Sequence, residues 1–169
     1  GKSMAESETG VVQLSSVSEF LQQGLEMVSS ASRRIRIFSH DFEPQLYGDA
    51  DMAQALKEFC LEHHQNELQI LLMSSRRAVN DGHRLIPLIQ RLTSSVTVRE
   101  VKSDYEPIKP ILHSFMLVDR RKVLFRANQD QYKGFAHYDD VSTVRRLDSE
   151  FDELWRFSKT CPDFRQLNI

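Results

Sequence analysis

The sequence predicts an α/β fold, with a mixed central β-sheet sandwiched between helices. Three observations predict it. Helix-period and strand-period segments alternate from Val17 to Val101, the pattern of right-handed crossovers over parallel strands. Leu68–Met73 reads LQILLM, a nearly uniform apolar run of strand length, as expected for a strand covered on both faces. Ile111–Arg126 reads ILHSFMLVDRRKVLFR. Its two strand-like runs, Ile111–Val118 and Lys122–Arg126, are joined by the polar stretch Asp119–Lys122, a hairpin whose antiparallel strands make the sheet mixed.

Taken in order, residues 1–10 (GKSMAESETG) read as a polar, disordered tail. Gly1-Lys2-Ser3 looks like an expression scar before a natural start at Met4. Residues 11–169 form a single domain. Ser16, with Glu19 three residues on, makes a capping box, and Val17, Phe20, Leu21, Leu25 and Val28 follow at helical spacing. Ile35–Ser39 alternates as a first strand and delivers His40, Asp41 and Phe42 to its end. Pro44 and Gly48 then break the chain. Asp51 caps a second helix with Met52, Leu56, Phe59 and Cys60 on its buried face. After the apolar strand, SSRRAVNDGHR is a polar loop. Leu85–Leu92 returns to helical spacing, with Pro87 tolerable near the first turn. Val96–Val101 is a third alternating strand, and Pro107 and Pro110 mark an irregular connection to the hairpin. Short strands follow near Phe135–Tyr138 and at Val141–Val144. A last helix carries Leu147, Phe151, Leu154, Trp155 and Phe157, and the tail from Cys161 packs on it.

Composition narrows the function classes. With 169 residues, 40% of them hydrophobic, the chain is long enough for one soluble domain with a real core. Its formal charge of −2 gives no global bias toward nucleic acid or an anionic membrane. No apolar run reaches the roughly 18 residues of a spanning helix, and there is no signal peptide pattern. Cys60 and Cys161 lie far apart, without metal or disulfide spacing, which points to a reduced, cytoplasmic setting. His63-His64 lacks a companion ligand pattern, so neither a metal nor a cofactor is expected.

Several residues are placed to do chemistry. His113 stands in the first run of the hairpin. His40 and Asp41 lie just beyond the C-terminal end of a strand, where open α/β sheets bind ligands, and form a pair able to act as acid and base. Arg76 and Arg77 follow the next strand and can clamp a phosphate or carboxylate. Arg120, Arg121, Lys122 and Arg126 cluster at the hairpin and, with Arg145 and Arg146, offer a local anion or nucleic-acid surface. That cluster lacks an aromatic stacking series, and a solvated turn that discourages edge pairing is the plainer reading.

The order of elements resembles one half of the phospholipase D-like superfamily, over about residues 17 to 158. In that family one strand bears His-x-Lys-x-x-x-x-Asp, a hairpin return and a Gly-Ser-x-Asn turn follow, and a final helix has an aromatic face like Phe151-Asp-Glu-Leu-Trp155. Here the signature is broken. Anchored on Asp119, the histidine falls on Leu112 and the lysine on Ser114. Anchored on His113, the lysine falls on Phe115 and Asp119 arrives one residue early, a slip that turns side chains to the other face. No His-x-Lys occurs anywhere. The Gly-Ser-x-Asn turn has become Arg126-Ala-Asn128-Gln, and the family's later acidic residue corresponds to Asp139 or Asp140.

The resemblance implies a histidine nucleophile, a second histidine as acid, and lysines and asparagines on the phosphoryl oxygens. Loss of the lysine removes charge stabilisation worth about 10²-fold or more in rate. The family's reaction also needs two signatures, so a homodimer is implied. The expected function is a catalytically inactive phospholipase D-like domain that binds an anionic ligand, nucleic acid or a protein partner, with His40, Arg76, Arg77 and Asp139 as ligand residues. The alternative from the enzyme class is an active phosphodiesterase or nuclease using His113, with Asn128 and an arginine replacing the lysine. A third class is a structural or regulatory interaction module.

Overall fold

The computed structural model describes residues 10–164. The expected N-terminal tail lies outside them except for Gly10, as does the end of the C-terminal tail. The described residues open on a strand that periodicity did not reveal, β1 (Val11–Leu14), and then enter α1 (Val17–Ser29). Ser16 caps α1 as expected. Its hydroxyl accepts the Glu19 N–H at 3.2 Å, and the Glu19 carboxylate accepts the Ser15 N–H at 3.0 Å. β2 (Arg34–Ser39) leads through the Pro44 loop to α2 (Ala50–Glu62). The cap of α2 is Asp49, not Asp51, because the Asp49 carboxylate accepts the N–H groups of Asp51 and Met52 at 2.9 and 3.1 Å.

β3 (Glu67–Leu72) is followed by a short helix, α3 (Arg76–Asn80), where a loop was expected, and then by α4 (Ile86–Arg91). β4 (Val96–Val101), β5 (Ser114–Val118), β6 (Lys122–Arg126) and β7 (Gly134–His137) follow, β5 starting three residues later than the expected run Ile111–Val118 and so leaving His113 before the strand rather than in it. Val141–Val144 is not a strand but the first turn of α5 (Val141–Arg156). The Asp140 carboxylate accepts the Thr143 N–H at 3.1 Å, and this cap overrides the β-branched composition of that turn. β8 (Ser158–Thr160) closes the other edge.

The strand order is β1-β7-β6-β5-β2-β3-β4-β8. β2, β3 and β4 are parallel, and the remaining pairings are antiparallel. The sheet therefore has the mixed character expected, with helices on both faces. One face packs Phe20, Met27, Met52, Leu56 and Leu88 of α1, α2 and α4 against Ile35, Ile37, Ile70 and Met116. The other packs Val144, Leu147, Phe151 and Leu154 of α5 against Phe38, Leu71, Phe115 and Leu117. Cys161 and Phe164 join the first core, so the tail packs on the α4 side rather than on α5.

Alternation in β2 does not mark an exposed face, since all six residues are buried. Arg34 and Arg36 lie under α5. Arg34 meets Asp148 at 2.8 Å, and Arg36 meets Asp148 and Asp152 at 3.1 and 2.9 Å. At the hairpin, Asp119 and Arg120 both have positive φ, at 53° and 61°. Together with the Arg121 N–H to Val118 carbonyl bond this is a type I′ turn, whose twist suits adjacent strands. Asp119 is held there by its carboxylate, which accepts the N–H groups of Ser32, Arg33 and Arg34 at 2.8 to 3.0 Å. Gly134 is required where β6 and β7 meet, because a Cβ there would run into the Phe125 carbonyl.

Candidate functional site

The central parallel strands β2 and β3 have their C-terminal ends on one side of the molecule. The antiparallel hairpin brings the start of β5 and the end of β6 to the same side. This is the crevice where open α/β sheets hold ligands. It gathers His40, Asp41 and Glu43 after β2, Arg76 and Arg77 after β3, His113 before β5, and Arg126 at the end of β6 with the loop 127–132 that follows. Asp139 is not among them. It lies at the opposite, hairpin end, 3.4 Å from Arg121. Arg126, counted by sequence with the hairpin cluster, belongs instead to the crevice, since β6 carries it a strand's length from the turn.

Strand alternation divides the crevice between the two faces. Ser114 and Arg126 are cross-strand partners and share the α1–α2 face with Met116 and Leu124. There Arg126 is buried, and all three nitrogens of its guanidinium are engaged. Nη1 donates to the Glu43 carboxylate, Nη2 to the Gln129 carbonyl, and Nε to the Gln131 carbonyl at 2.8 Å. The guanidinium also lies 4.0 Å from the centre of the Tyr132 ring. Glu43 accepts a further bond from the Ser39 hydroxyl at 2.8 Å. Burial raises the Glu43 pKa, against the lowering effect of Arg126 and Ser39. A shallow cavity of about 260 Å³ opens beside the pair, bordered by Asp41, Arg77, Asp130 and Tyr132.

His113 faces the other way, toward α5. Its Nε2 is 2.5 Å from Oε1 of Glu150, and both side chains are about a quarter exposed, at 26% and 27%. Its ring stacks against those of Phe115 and Phe125 at centroid distances of 6.1 and 5.7 Å. The His113 carbonyl accepts a bond from His40 Nε2 at 3.1 Å, which places the proton of the neutral His40 ring on that nitrogen. Burial lowers the His40 pKa, so the ring is neutral at pH 7.

Arg77 reaches Asp41 at 2.6 Å, and Arg76 is exposed. Asn128 Oδ1 accepts the Asp130 N–H at 2.9 Å, fixing the loop after β6. Among the described residues, no group of three or more His, Cys, Asp or Glu side chains is placed to hold a metal ion. Sequence reasoning missed Glu43, Glu150 and Tyr132. A carboxylate closely following a buried strand was a signal for Glu43, whereas Glu150 meets His113 only through tertiary packing.

This arrangement can be set beside known proteins. Residues 16–167 match a protein family. The chain belongs to the family described as Domain of unknown function (DUF7931). No curated protein matches it. Solved structures similar to this family member include NucT from Helicobacter pylori, with a TM-score of 0.65 and 15% identity over 89% of this chain and 97% of that one. Nuc from Salmonella typhimurium, a phospholipase D family member, aligns with a TM-score of 0.55 and 15% identity over 82% of this chain and 88% of its own. TrmBL2, an archaeal chromatin protein whose structure shows a novel mode of DNA binding, aligns with a TM-score of 0.62 and 15% identity over 89% of this chain. The present chain spans 54% of that protein's length. At such identities the likeness is one of fold, and the fold is phospholipase D-like. No described helix is long and apolar enough to cross a membrane.

Proposed function

We propose that this is a catalytically silent phospholipase D-like domain that works by binding, with nucleic acid as its ligand and a second copy of the chain at the crevice edge. The observation that carries this reading is the state of Arg126. Phosphoryl transfer needs a nucleophile and cations free to take up charge on the phosphoryl oxygens. With the signature anchored on Asp119, the histidine position holds Leu112, which is 48% exposed, and the lysine position holds buried Ser114. The cation beside Ser114 is Arg126, and its guanidinium is already bound by Glu43 and two carbonyls. Arg77 is likewise held by Asp41.

Leu112 and the fully exposed Ile108 both belong to the segment between β4 and β5, at the crevice edge. Apolar groups there favour contact with another copy of the chain. The likeness of fold to a DNA-binding chromatin protein supports nucleic acid as the ligand class.

One observation favours a second reading. The 2.5 Å contact between His113 and Glu150 is the geometry of a histidine oriented by a carboxylate. In that reading His113 attacks the phosphorus as the P–O bond to the leaving alcohol breaks, and that oxygen takes a proton from solvent. Water then hydrolyses the P–N bond. Glu150 orients the ring, and Asn128 contributes to holding the phosphoryl group. Hydrolysis of a chromogenic phosphodiester and of plasmid DNA separates the two. Absence of turnover is the result expected of a binding domain.

A further inference from the structure

The crevice is a poor place for a polyanion, because Asp41, Glu43 and Asp130 border it together with the two arginines already paired there. The opposite end of the sheet has the reverse character. The type I′ turn points Arg120 and Arg121 outward, and both are exposed. The Arg121 carbonyl accepts the Asp140 N–H at 2.9 Å, which docks the start of α5 against the turn. Arg145 and Arg146 follow on the exposed surface of α5, little more than a helical turn beyond that junction. Arg33 joins from the other side, its backbone tied to Asp119 at 2.8 Å.

The carboxylates at this end keep their charge but are outnumbered by its cations, since Arg34 and Arg36 beneath α5 add to the six at the surface. Asp119 and Asp140 accept backbone N–H groups. Asp148 is committed to Arg34 and Arg36 beneath α5. Asp139 faces Arg121 across 3.4 Å with both groups well exposed, a contact that solvent screens. Glu67, at the start of β3, is a further exposed carboxylate near Arg33. Lys122 and Arg33 bond to neutral partners, the Ser30 hydroxyl and the Gln65 amide oxygen, and so keep their charge. The chain as a whole is at −2, so this gathering of cations is not a global excess.

We infer that the hairpin end of the sheet, opposite the crevice, is a phosphate-backbone-binding surface for duplex nucleic acid, formed by Arg33, Arg120, Arg121, Lys122, Arg145 and Arg146. The inference rests on the nucleic-acid reading above and gives it a location. Five of the six are arginines, whose planar forks match phosphate oxygens better than an ammonium does. Among the described residues no exposed Phe, Tyr or Trp stands among the six, so base stacking on such rings is not expected of this surface. The contact is with the duplex backbone and responds to salt accordingly.

The test is binding of a short fluorescein-labelled DNA duplex across a salt series, read by anisotropy. Arg120→Asn/Arg121→Ser and Arg145→Gln/Arg146→Gln are the variants, asparagine being tolerated at the positive φ of residue 120. Each pair is expected to weaken binding about tenfold or more and to lower the salt slope by about 2. The two pairs lie on different elements, so either alone decides the matter if the other fails to fold by circular dichroism. Unchanged affinity in the folded pairs overturns the inference. Loss of binding in Arg76→Gln/Arg77→Gln instead also overturns it, while leaving the nucleic-acid reading intact. If the parent ignores the duplex, whether or not it adsorbs to phosphatidylserine vesicles, both readings fall.

Discussion

Arg126 and Glu43 form a buried ion pair at the crevice, on the face of the sheet where the signature anchored on Asp119 would place its lysine. In the binding reading proposed above, a pair in that position serves packing rather than a substrate. Arg126→Met leaves Glu43 buried without its cation, and a loss of about 3 kcal/mol in urea unfolding is expected. Adding Glu43→Gln should recover most of the loss. The sign of the pH effect follows from the raised pKa of Glu43. A carboxyl whose folded pKa is raised favours the fold most below its unfolded pKa, and that advantage fades as pH rises through the folded value. Without Arg126 the effect grows, so Arg126→Met should lie nearest the parent in acid and furthest at neutral pH.

Asp119 gives the opposite dependence. Burial acts to raise its pKa, but the N–H groups of Arg34, Ser32 and Arg33 outweigh burial and lower it. Its stabilising contribution is therefore complete above the unfolded value near 3.8 and is lost as pH falls through the lower folded value. Asp119→Asn keeps a residue that accepts positive φ and should cost about 2 kcal/mol at pH 7. The gap between variant and parent should narrow below pH 4 or so, as followed by chemical denaturation at several pH values.

His83 makes folding sensitive in a higher pH range. Its ring stacks on Phe42 at 4.2 Å, and its Nδ1 accepts the Leu85 N–H at 3.1 Å. Burial pushes its pKa down to about 4, against the opposing pull of the Phe42 backbone. A lowered histidine pKa stabilises the fold above the unfolded value of 6.5, and that contribution is lost as pH falls toward 4. The drop should be about 3 kcal/mol in the parent. His83→Phe keeps the stack, loses about 1 kcal/mol at pH 7 through the Leu85 N–H, and should not show the drop. Thermal midpoints from pH 7 to pH 4 check this.

Leu112 and Ile108 bear on the second-copy proposal. Both are exposed on the segment leading into β5. Leu112→Asp/Ile108→Asp should shift the chain from dimer to monomer in sedimentation velocity with little change in thermal midpoint. A parent that sediments as a monomer at high concentration would remove the dimer from the account.

Much of this fold was legible, and the reasons are local. The Ser16 box, the apolar run in β3 and the polar hairpin turn each carry their signal within a few residues. β1 was hidden because four residues beside a polar stretch make no periodic pattern. The first turn of α5 was misread because Val141 and Val144 suggest β-structure when the Asp140 cap is overlooked. At the site, the positions of His40, Arg76 and Arg77 just beyond strand ends were legible, but that of His113 beside them was not, because it was read within the strand run Ile111–Val118 and stands before β5. The coupling of Arg126 to Glu43, and of His113 to Glu150, was not legible either, because each joins segments distant in sequence that only the folded sheet brings together. Asp139 went astray because a match counted along the sequence carries no information about which end of a strand it reaches.

The central claim is that no phosphodiester chemistry survives at the crevice. The most direct measurement is turnover of a chromogenic phosphodiester and of plasmid DNA by the purified chain, with and without EDTA, beside His113→Ala. The account predicts no turnover above the buffer rate for either protein. Metal-independent hydrolysis by the parent that disappears in a folded His113→Ala would contradict it and assign the reaction to the His113–Glu150 pair.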